Sequence, residues 1–230
     1  MISFIVPAYN EEKYLGATLA SIHAAAKAVG EPYEVVVADD ASTDATAALA
    51  EAAGAKVVRV SHRQISRTRN SGAKAASGDY LMFVDADTLI DRDVVAASLE
   101  AMRAGAIGGG APVRFEKAPT WAHVVTALIV PLFRLFKWAA GCFVFCTRAG
   151  FEKTGGFDER YFAAEEIHFS QALKRHGRFV FIRPAVVSSA RKAEGRTPWQ
   201  LLWLVLKVVV RNPLGVKRRE DADFWYDGKR

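Results

Sequence analysis

Cysteine is scarce in this chain: Cys142 and Cys146 are the only two in 230 residues, four apart in an apolar stretch, with no histidine at metal-binding spacing. That excludes a disulfide framework and a thiolate zinc site, and predicts two reduced core residues in a cytoplasmic setting. If the segment is a strand, both thiols face one way but lie about 13 Å apart, at about 3.3 Å per residue, and cannot bridge. Long apolar runs are missing too, since nothing reaches the roughly 20 uninterrupted residues of a spanning helix. The chain opens on strand-like Ile2-Ser3-Phe4-Ile5-Val6 rather than on a basic region, apolar core and cleavage site, so no signal peptide is expected. No Gly-x-Gly-x-x-Gly and no Walker loop occurs, which removes the common glycine-rich ways of cradling phosphate. Internal repeats and low-complexity linkers are absent as well.

What is present reads as a folded α/β protein. Hydrophobic residues make up 51% and aromatics 11% of the 230 residues, enough for one large domain with a single core plus a terminal extension. The net charge of +6 fits an anionic partner.

The first half alternates strand and helix. Ile2 to Val6 is a strand broken by Pro7-Ala8-Tyr9-Asn10, and a helix is expected from Glu11 to about Val29, ended by Gly30 and Pro32. Glu34 to Ala38 is a second strand finishing in Asp39-Asp40, and Ser42-Thr43-Asp44 caps a helix to about Ala53. Lys56 to Val60 is the third strand. A basic turn, His62 to Arg69, leads into a helix over about Asn70 to Ala76. The fourth strand, Tyr80 to Val84, delivers Asp85-Ala86-Asp87. This rhythm predicts a mainly parallel sheet with right-handed crossovers. After a helix from Asp91 to about Ala104 the rhythm changes. One strand is expected from Gly108 to Phe115, β structure over Gly141 to Thr147, a turn at Gly155 to Glu159, a helix from Glu165 to His176, and short strands at Phe179 to Ile182 and Ala185 to Val187.

Three strand ends carry acid: Asn10-Glu11-Glu12, Asp39-Asp40 with Asp44, and Asp85 with Asp87. In open parallel sheets ligands bind outside the C-terminal strand ends. Like charges gathered there cost stability unless a cation or donor groups offset them, and two nearby carboxylates suit Mg²⁺ or Mn²⁺ completed by substrate phosphates. Arg67 and Arg69 would supply positive charge for a diphosphate. The plainer readings are that Asp85 and Asp87 punctuate a turn, that Glu11 and Glu12 favour a helix dipole, and that Asp44 is a helix-terminal charge.

The arrangement resembles the family 2 glycosyltransferases of GT-A fold over nearly the whole chain. The residues carrying the resemblance are Val6 to Glu12, Asp39 to Asp44, Arg69-Asn70-Ser71-Gly72 followed by Gly78-Asp79-Tyr80, Asp85-Ala86-Asp87, Gly155 to Glu159, and Glu165-Glu166. It implies a mainly parallel central sheet flanked by helices, with a C-terminal apolar, amphipathic helix. Residues 1–190 would form the catalytic domain, 1–105 binding the nucleotide-sugar and 106–190 the acceptor, with 191–230 an amphipathic helix and basic tail. The activity implied is inverting transfer, of hexosyl class, from a UDP- or GDP-sugar to an acceptor hydroxyl, aided by a divalent metal. Pro7, Ala8, Tyr9, Glu11 and Asp39 would hold base and ribose, with Asp40 supporting the loop. Arg69 would sit near the donor, as would Ala86; Asp85 would face ribose or a metal-bound water, and Asp87 would coordinate the metal. Glu166 would be the general base, with Glu165 second; the family usually has glutamate followed by aspartate here. His168 is a candidate acceptor contact. Arg191 either stands in for a residue that touches the donor phosphates or is surface charge.

Two apolar stretches, 121–138 and 197–210, are short for spanning but suit interfacial helices, core packing or a homodimer seam. With the basic run Lys217-Arg218-Arg219 they suggest peripheral contact through 121–138 and 197–219 on the inner membrane face, and a lipid-linked or membrane-proximal acceptor. Two alternatives compete. A sugar-phosphate nucleotidyltransferase would be expected to open with a glycine-rich loop. A non-catalytic basic module binding membrane or nucleic acid leaves the acidic strand ends without purpose, so no nucleic acid partner is expected.

Overall fold

Apolar runs too continuous for a half-solvated sheet set the architecture, because a sheet covered by helices on both faces needs both sides of each strand to be apolar. The computed structural model describes residues 1–116, 131, 135–139, 141–189, 216, 217 and 219–222. Its first half runs β1 (Ile2–Ala8), α1 (Leu15–Val29), β2 (Tyr33–Asp40), α2 (Thr46–Ala52), β3 (Lys56–Val60), α3 (Ile65–Ala75) and β4 (Tyr80–Val84). There follow β5 (Thr88–Leu89), α4 (Arg92–Arg103), β6 (Ala106–Gly110) and β7 (Val113–Glu116). The remainder comprises β8 (Phe143–Thr147), α5 (Arg148–Thr154), α6 (Glu165–His176), β9 (Arg178–Phe181) and β10 (Val186–Ser189).

Seven strands form one sheet in the order β3-β2-β1-β4-β8-β6-β9, and β5-β10-β7 form a second. In the large sheet β8 is antiparallel to both neighbours and the other pairs are parallel. Strand alternation separates two buried clusters. Phe4, Val6, Val37, Met82 and Phe143 pack with Leu19 and Leu99, while Ile5, Val36, Phe83 and Val144 pack with Phe157, Phe169 and Leu173. Each fully buried side chain of this size contributes about 1.5–3 kcal/mol. Gly72 lets α3 approach β1, since a Cβ there would stand 2.6 Å from Ile5 Cγ2.

Several boundaries differ from the sequence expectation. The first helix starts at Leu15, not Glu11, because Glu11 N–H donates to Thr46 Oγ1 (2.7 Å) and Glu12 N–H to Asp44 Oδ2 (3.2 Å). α3 starts at Ile65, so Arg67 and Arg69 are helical rather than in a turn. Its entry is held by Asp40, whose carboxylate accepts from the N–H groups of His62, Arg63 and Gln64 and from the Thr68 hydroxyl. The expected strand from Gly108 to Phe115 is two strands in two sheets, divided at Ala111-Pro112, where proline has no N–H for a ladder. The cysteines are both free but do not share a face, because Cys142 precedes β8 and packs with the first cluster while Cys146 belongs to the second. Most of 121–138 and 197–219 lies outside the described residues. Among those described, no helix is long and apolar enough to cross a membrane.

Candidate active site

Because β2, β1 and β4 are neighbours, their C-terminal ends align Asp39-Asp40, Ala8 to Asn10 and Asp85 to Asp87 along one rim. Pro7 and Ala8 are buried in β1, opposite Ala38 and Asp39. The pleat turns Asp39 and Asp40 to opposite faces. Asp40 is consumed by the start of α3, as the loop-supporting role requires. Asp39 is 4% exposed, and its Oδ1 has no hydrogen-bond partner among the described residues. A buried acceptor left unmade costs about 1–3 kcal/mol, which a bound N–H or O–H would recover. Nearby, Asn10 adopts φ 52° and its Oδ1 accepts from Thr43 N–H at 2.8 Å, a left-handed conformation asparagine tolerates. Glu11 is 5% exposed and outside the first turn of α1, so helix-dipole stabilisation does not account for it. The Arg63 guanidinium lies 3.8 Å over the Tyr9 ring, a contact no sequence spacing announces.

Arg69 is the hub of the second half of the site. It is 1% exposed, and its Nη1 donates to Glu165 Oε1 (2.6 Å), its Nη2 to Asp85 Oδ1 (2.7 Å) and to Gly141 O (2.7 Å). Arg69, expected beside the donor, has both terminal nitrogens hydrogen-bonded to protein groups, two of them carboxylates at the strand-end rim and the start of α6. Burial pulls the guanidinium pKa down, and Asp85, Glu165 and Glu166 more than reverse this. For Glu165, burial raises the pKa against the pull of Arg69. Glu166, partly buried in the first turn of α6, is pushed up to about 8 by burial and then by the adjacent Glu165. Burial thus outweighs the helix dipole, which alone would favour the carboxylate. Gly141 packs against it, its Cβ direction reaching the Glu166 carboxyl at 3.4 Å.

Asp85 and Asp87 are not helix caps. α4 is capped by Asp91, which accepts from Val94 N–H at 2.9 Å. Asp85 N–H donates to Cys142 O (3.1 Å), and Ala86 O accepts from the Thr18 hydroxyl (2.8 Å). Asp87 Oδ2 accepts from Ser189 Oγ at 2.6 Å, while Ser189 N–H donates to Asp87 O at 3.1 Å. Ser189 thus orients Asp87, a contact that only the pairing of β10 with β5 reveals. Burial, and then the charges of Asp85 and Asp87, raise the Cys142 thiol well above its ordinary value. Among the described residues no group of three or more His, Cys, Asp or Glu is arranged to hold a metal. Two carboxylates alone fit an ion that takes the rest of its shell from phosphate and water.

The turn from Gly155 to Glu159 is clamped by Asn70, whose Oδ1 accepts from Phe157 N–H (2.9 Å) and whose Nδ2 donates to Phe157 O (2.9 Å) and Glu159 Oε1 (3.0 Å). Gly156 adopts φ 83°, and a Cβ there would meet Asn70 Oδ1 at 2.6 Å. The next residues lead to Glu165 through Ala164 at φ 63°. The His168 ring stacks on Tyr161 at 3.8 Å. Val216, fully buried, bridges Ala163 and accepts from Phe162 N–H at 2.7 Å, so part of the expected tail returns to the loop that carries the glutamates. Arg191 lies outside the described residues.

Comparison with known proteins agrees with this geometry. The family model described as Glycosyl transferase family 2 matches residues 3–162. The uncharacterized glycosyltransferase YfnE of Bacillus subtilis is 35% identical over 104 residues, 43% of this chain and 26% of that protein. The poly(ribitol-phosphate) beta-N-acetylglucosaminyltransferase TarS of Staphylococcus aureus is 36% identical over 99 residues, 40% of this chain and 17% of that one. The stretches matched therefore span about a quarter or less of these two relatives. Among solved structures, the mannosyltransferase PcManGT of Pyrobaculum calidifontis superposes with a TM-score of 0.70 at 21% identity, covering 99% of this chain and 68% of that one. That likeness establishes the GT-A fold alone. With more than half of its length matched by the family model, and with that fold around an acidic strand-end rim, the chain belongs to glycosyl transferase family 2.

Proposed function

We propose that this chain transfers a sugar, with inversion, from a nucleoside-diphosphate donor to an acceptor hydroxyl. The observation that carries the reading is the Arg69 hub, which joins Asp85 at the end of β4 to Glu165 at the start of α6 and so holds donor-side and acceptor-side acids in one fixed relation. Residues 1–105 bind the donor and 106–190 the acceptor. Pro7, Ala8, Tyr9 and Glu11 border the base and ribose, with the orphan Asp39 Oδ1 accepting a base or ribose donor. Asp87, oriented by Ser189, would hold a divalent ion, with Asp85 as its partner through ribose or water, and such an ion would supply Lewis-acid neutralisation of the leaving diphosphate. PcManGT was crystallised with GDP-Man and Mn²⁺, and a glucosyl-3-phosphoglycerate synthase from Mycobacterium tuberculosis with UDP and Mn²⁺, which supports this donor and metal class.

Glu166 acts as general base. Its carboxylate takes the hydroxyl proton as the acceptor oxygen bonds to the anomeric carbon, on the face opposite the breaking bond to diphosphate. Glu165, already committed to Arg69, is the positioning residue. A pKa near the operating pH suits a base of this kind. A relative from Pseudomonas fluorescens, 38% identical over 94 residues, is named undecaprenyl-phosphate 4-deoxy-4-formamido-L-arabinose transferase, which favours a lipid-linked acceptor here. Calorimetry with UDP and GDP, with and without Mn²⁺, tests the donor site: metal-dependent binding of one nucleotide, lost in Asp87→Ala, is expected. Metal-indifferent binding would remove the assignment. Glu166→Gln should keep donor binding and lose transfer; full turnover in that variant would move the base elsewhere.

A further inference from the structure

Away from the crevice, the free edge of the large sheet carries a groove of about 420 Å³ along β9, lined by Lys137, Arg178, Phe179, Val180, Phe181 and Arg183. Half of that lining is cationic. Segments 131–139 and 171–183 contain no acidic residue, and among the described residues none of Lys137, Lys174, Arg175, Arg178 or Arg183 is ion-paired. Lys174 donates to Phe136 O at 2.8 Å, and burial together with the neighbouring Lys137 pulls its pKa down, so among the described residues positive charge gathers here without an ion-paired acid.

Edge strands often carry cations to discourage pairing with other strands, which would explain Arg178 and Arg183 alone. It does not explain the apolar rim. Leu135 is 72% and Phe136 49% exposed, immediately before Lys137, and Phe136 stacks on Trp138 at 4.9 Å. Exposed aliphatic and aromatic side chains flanked by cations that make no ion pair among the described residues, Arg178 donating only to Ala104 O at 2.7 Å, make a surface suited to the boundary between lipid head groups and acyl chains. A soluble acidic polymer would match the charge and leave Leu135 and Phe136 unused. The position is also telling: Gly141, which packs against the Glu166 carboxyl, is only four positions after Lys137.

We propose that this edge docks on an anionic bilayer, with head-group phosphates in the groove between Lys137, Arg178 and Arg183 and with Leu135 and Phe136 at the acyl boundary. The docking presents the Glu166 side of the enzyme to the membrane. Its purpose rests on the glycosyltransferase reading, but its test does not use sugar transfer. The full chain is floated with vesicles of phosphatidylglycerol and phosphatidylcholine, and with phosphatidylcholine alone, at about 0.1 M salt. Binding to the anionic vesicles only is expected, weakening as salt rises. The Arg178→Glu, Arg183→Glu double variant should partition at least ~10-fold less, since each cation near the surface contributes roughly fivefold. Leu135→Ser with Phe136→Ser should also partition less, with the salt dependence unchanged. Metal-dependent nucleotide binding, measured on the same samples, should be intact in every variant, and its loss across all samples would instead indict the donor-site reading. Equal binding to neutral vesicles, no flotation of the wild type, or an unaffected charge-reversed variant would overturn the proposal. So would binding of soluble polyphosphate at this groove by a chain that ignores vesicles.

Discussion

Replacing Arg69 by methionine would leave Asp85 and Glu165 without the guanidinium that each meets below 3 Å. Breaking a buried pair by removing one partner costs about 3–5 kcal/mol, because the remaining charges stay desolvated. For a chain of this size that is a fall of about 10 °C in Tm, read by thermal unfolding. Arg69→Lys should recover only part of it, since an ammonium cannot reproduce a planar fork that spans two carboxylates and a carbonyl. A methionine variant melting within a degree or two of wild type would refute the hub. Glu166 gives the pH prediction. Its folded pKa is raised, so the stability tied to its protonated form is present below about 4.5 and lost as pH rises through about 8. Glu166→Gln, which cannot ionise, should therefore gain on wild type in Tm by several degrees between pH 5 and pH 9, roughly 2–4 °C per kcal/mol. Donor-saturated turnover by the wild type should rise over the same interval, because the base must be deprotonated.

At the scale of elements, β2 separates the duties of two adjacent acids. Asp40 faces α3 and satisfies three backbone N–H groups and a hydroxyl, so Asp40→Ala should cost about 2 kcal/mol, the loss of a heavily used cap, in denaturant unfolding. Asp39 carries an orphan oxygen, so Asp39→Ala should leave the free protein as stable or slightly more so while weakening nucleotide binding. Similar losses of stability in both variants would contradict the division. The apolar strand from Val35 to its acidic end at Asp40 is readable in the sequence, but the partners of Asp40 are not, because they lie at the entry to a helix that the sequence places five residues later. The Asn70 clamp on Phe157 and Glu159 is of the same kind: both motifs stood out separately in the sequence, and only their packing joins them.

For the whole molecule, any ligand that binds only the folded state raises Tm by mass action. At a nucleotide concentration of about 100 times Kd, with Mn²⁺, the gain is about 2.7 kcal/mol, or several degrees. Chelation of the metal should abolish the shift, and Asp87→Ala should lack it; a shift equal with and without metal would argue against Asp87 as a ligand. The net charge of +6 takes a different meaning from the fold: cations without ion-paired acids gather at the β9 edge, while Arg69 is buried and neutralised.

The sequence by itself determined the βα rhythm, the apolar strands and their acidic ends, and the helix from Glu165 to His176, because these rest on local periodicity and on residues whose chemistry has few uses at a strand end. Tertiary structure decided which acids are available to a ligand and which are spent. Asp40 is consumed by a helix start and Glu165 is held by Arg69, Asp85 gives Arg69 one of its two oxygens, and Asp87 is turned by a serine 102 residues away. Hydrogen bonding and desolvation act across space without regard to sequence separation. The same carboxylate can therefore be a cap, a counter-ion or a base, and only its neighbours in the fold determine which.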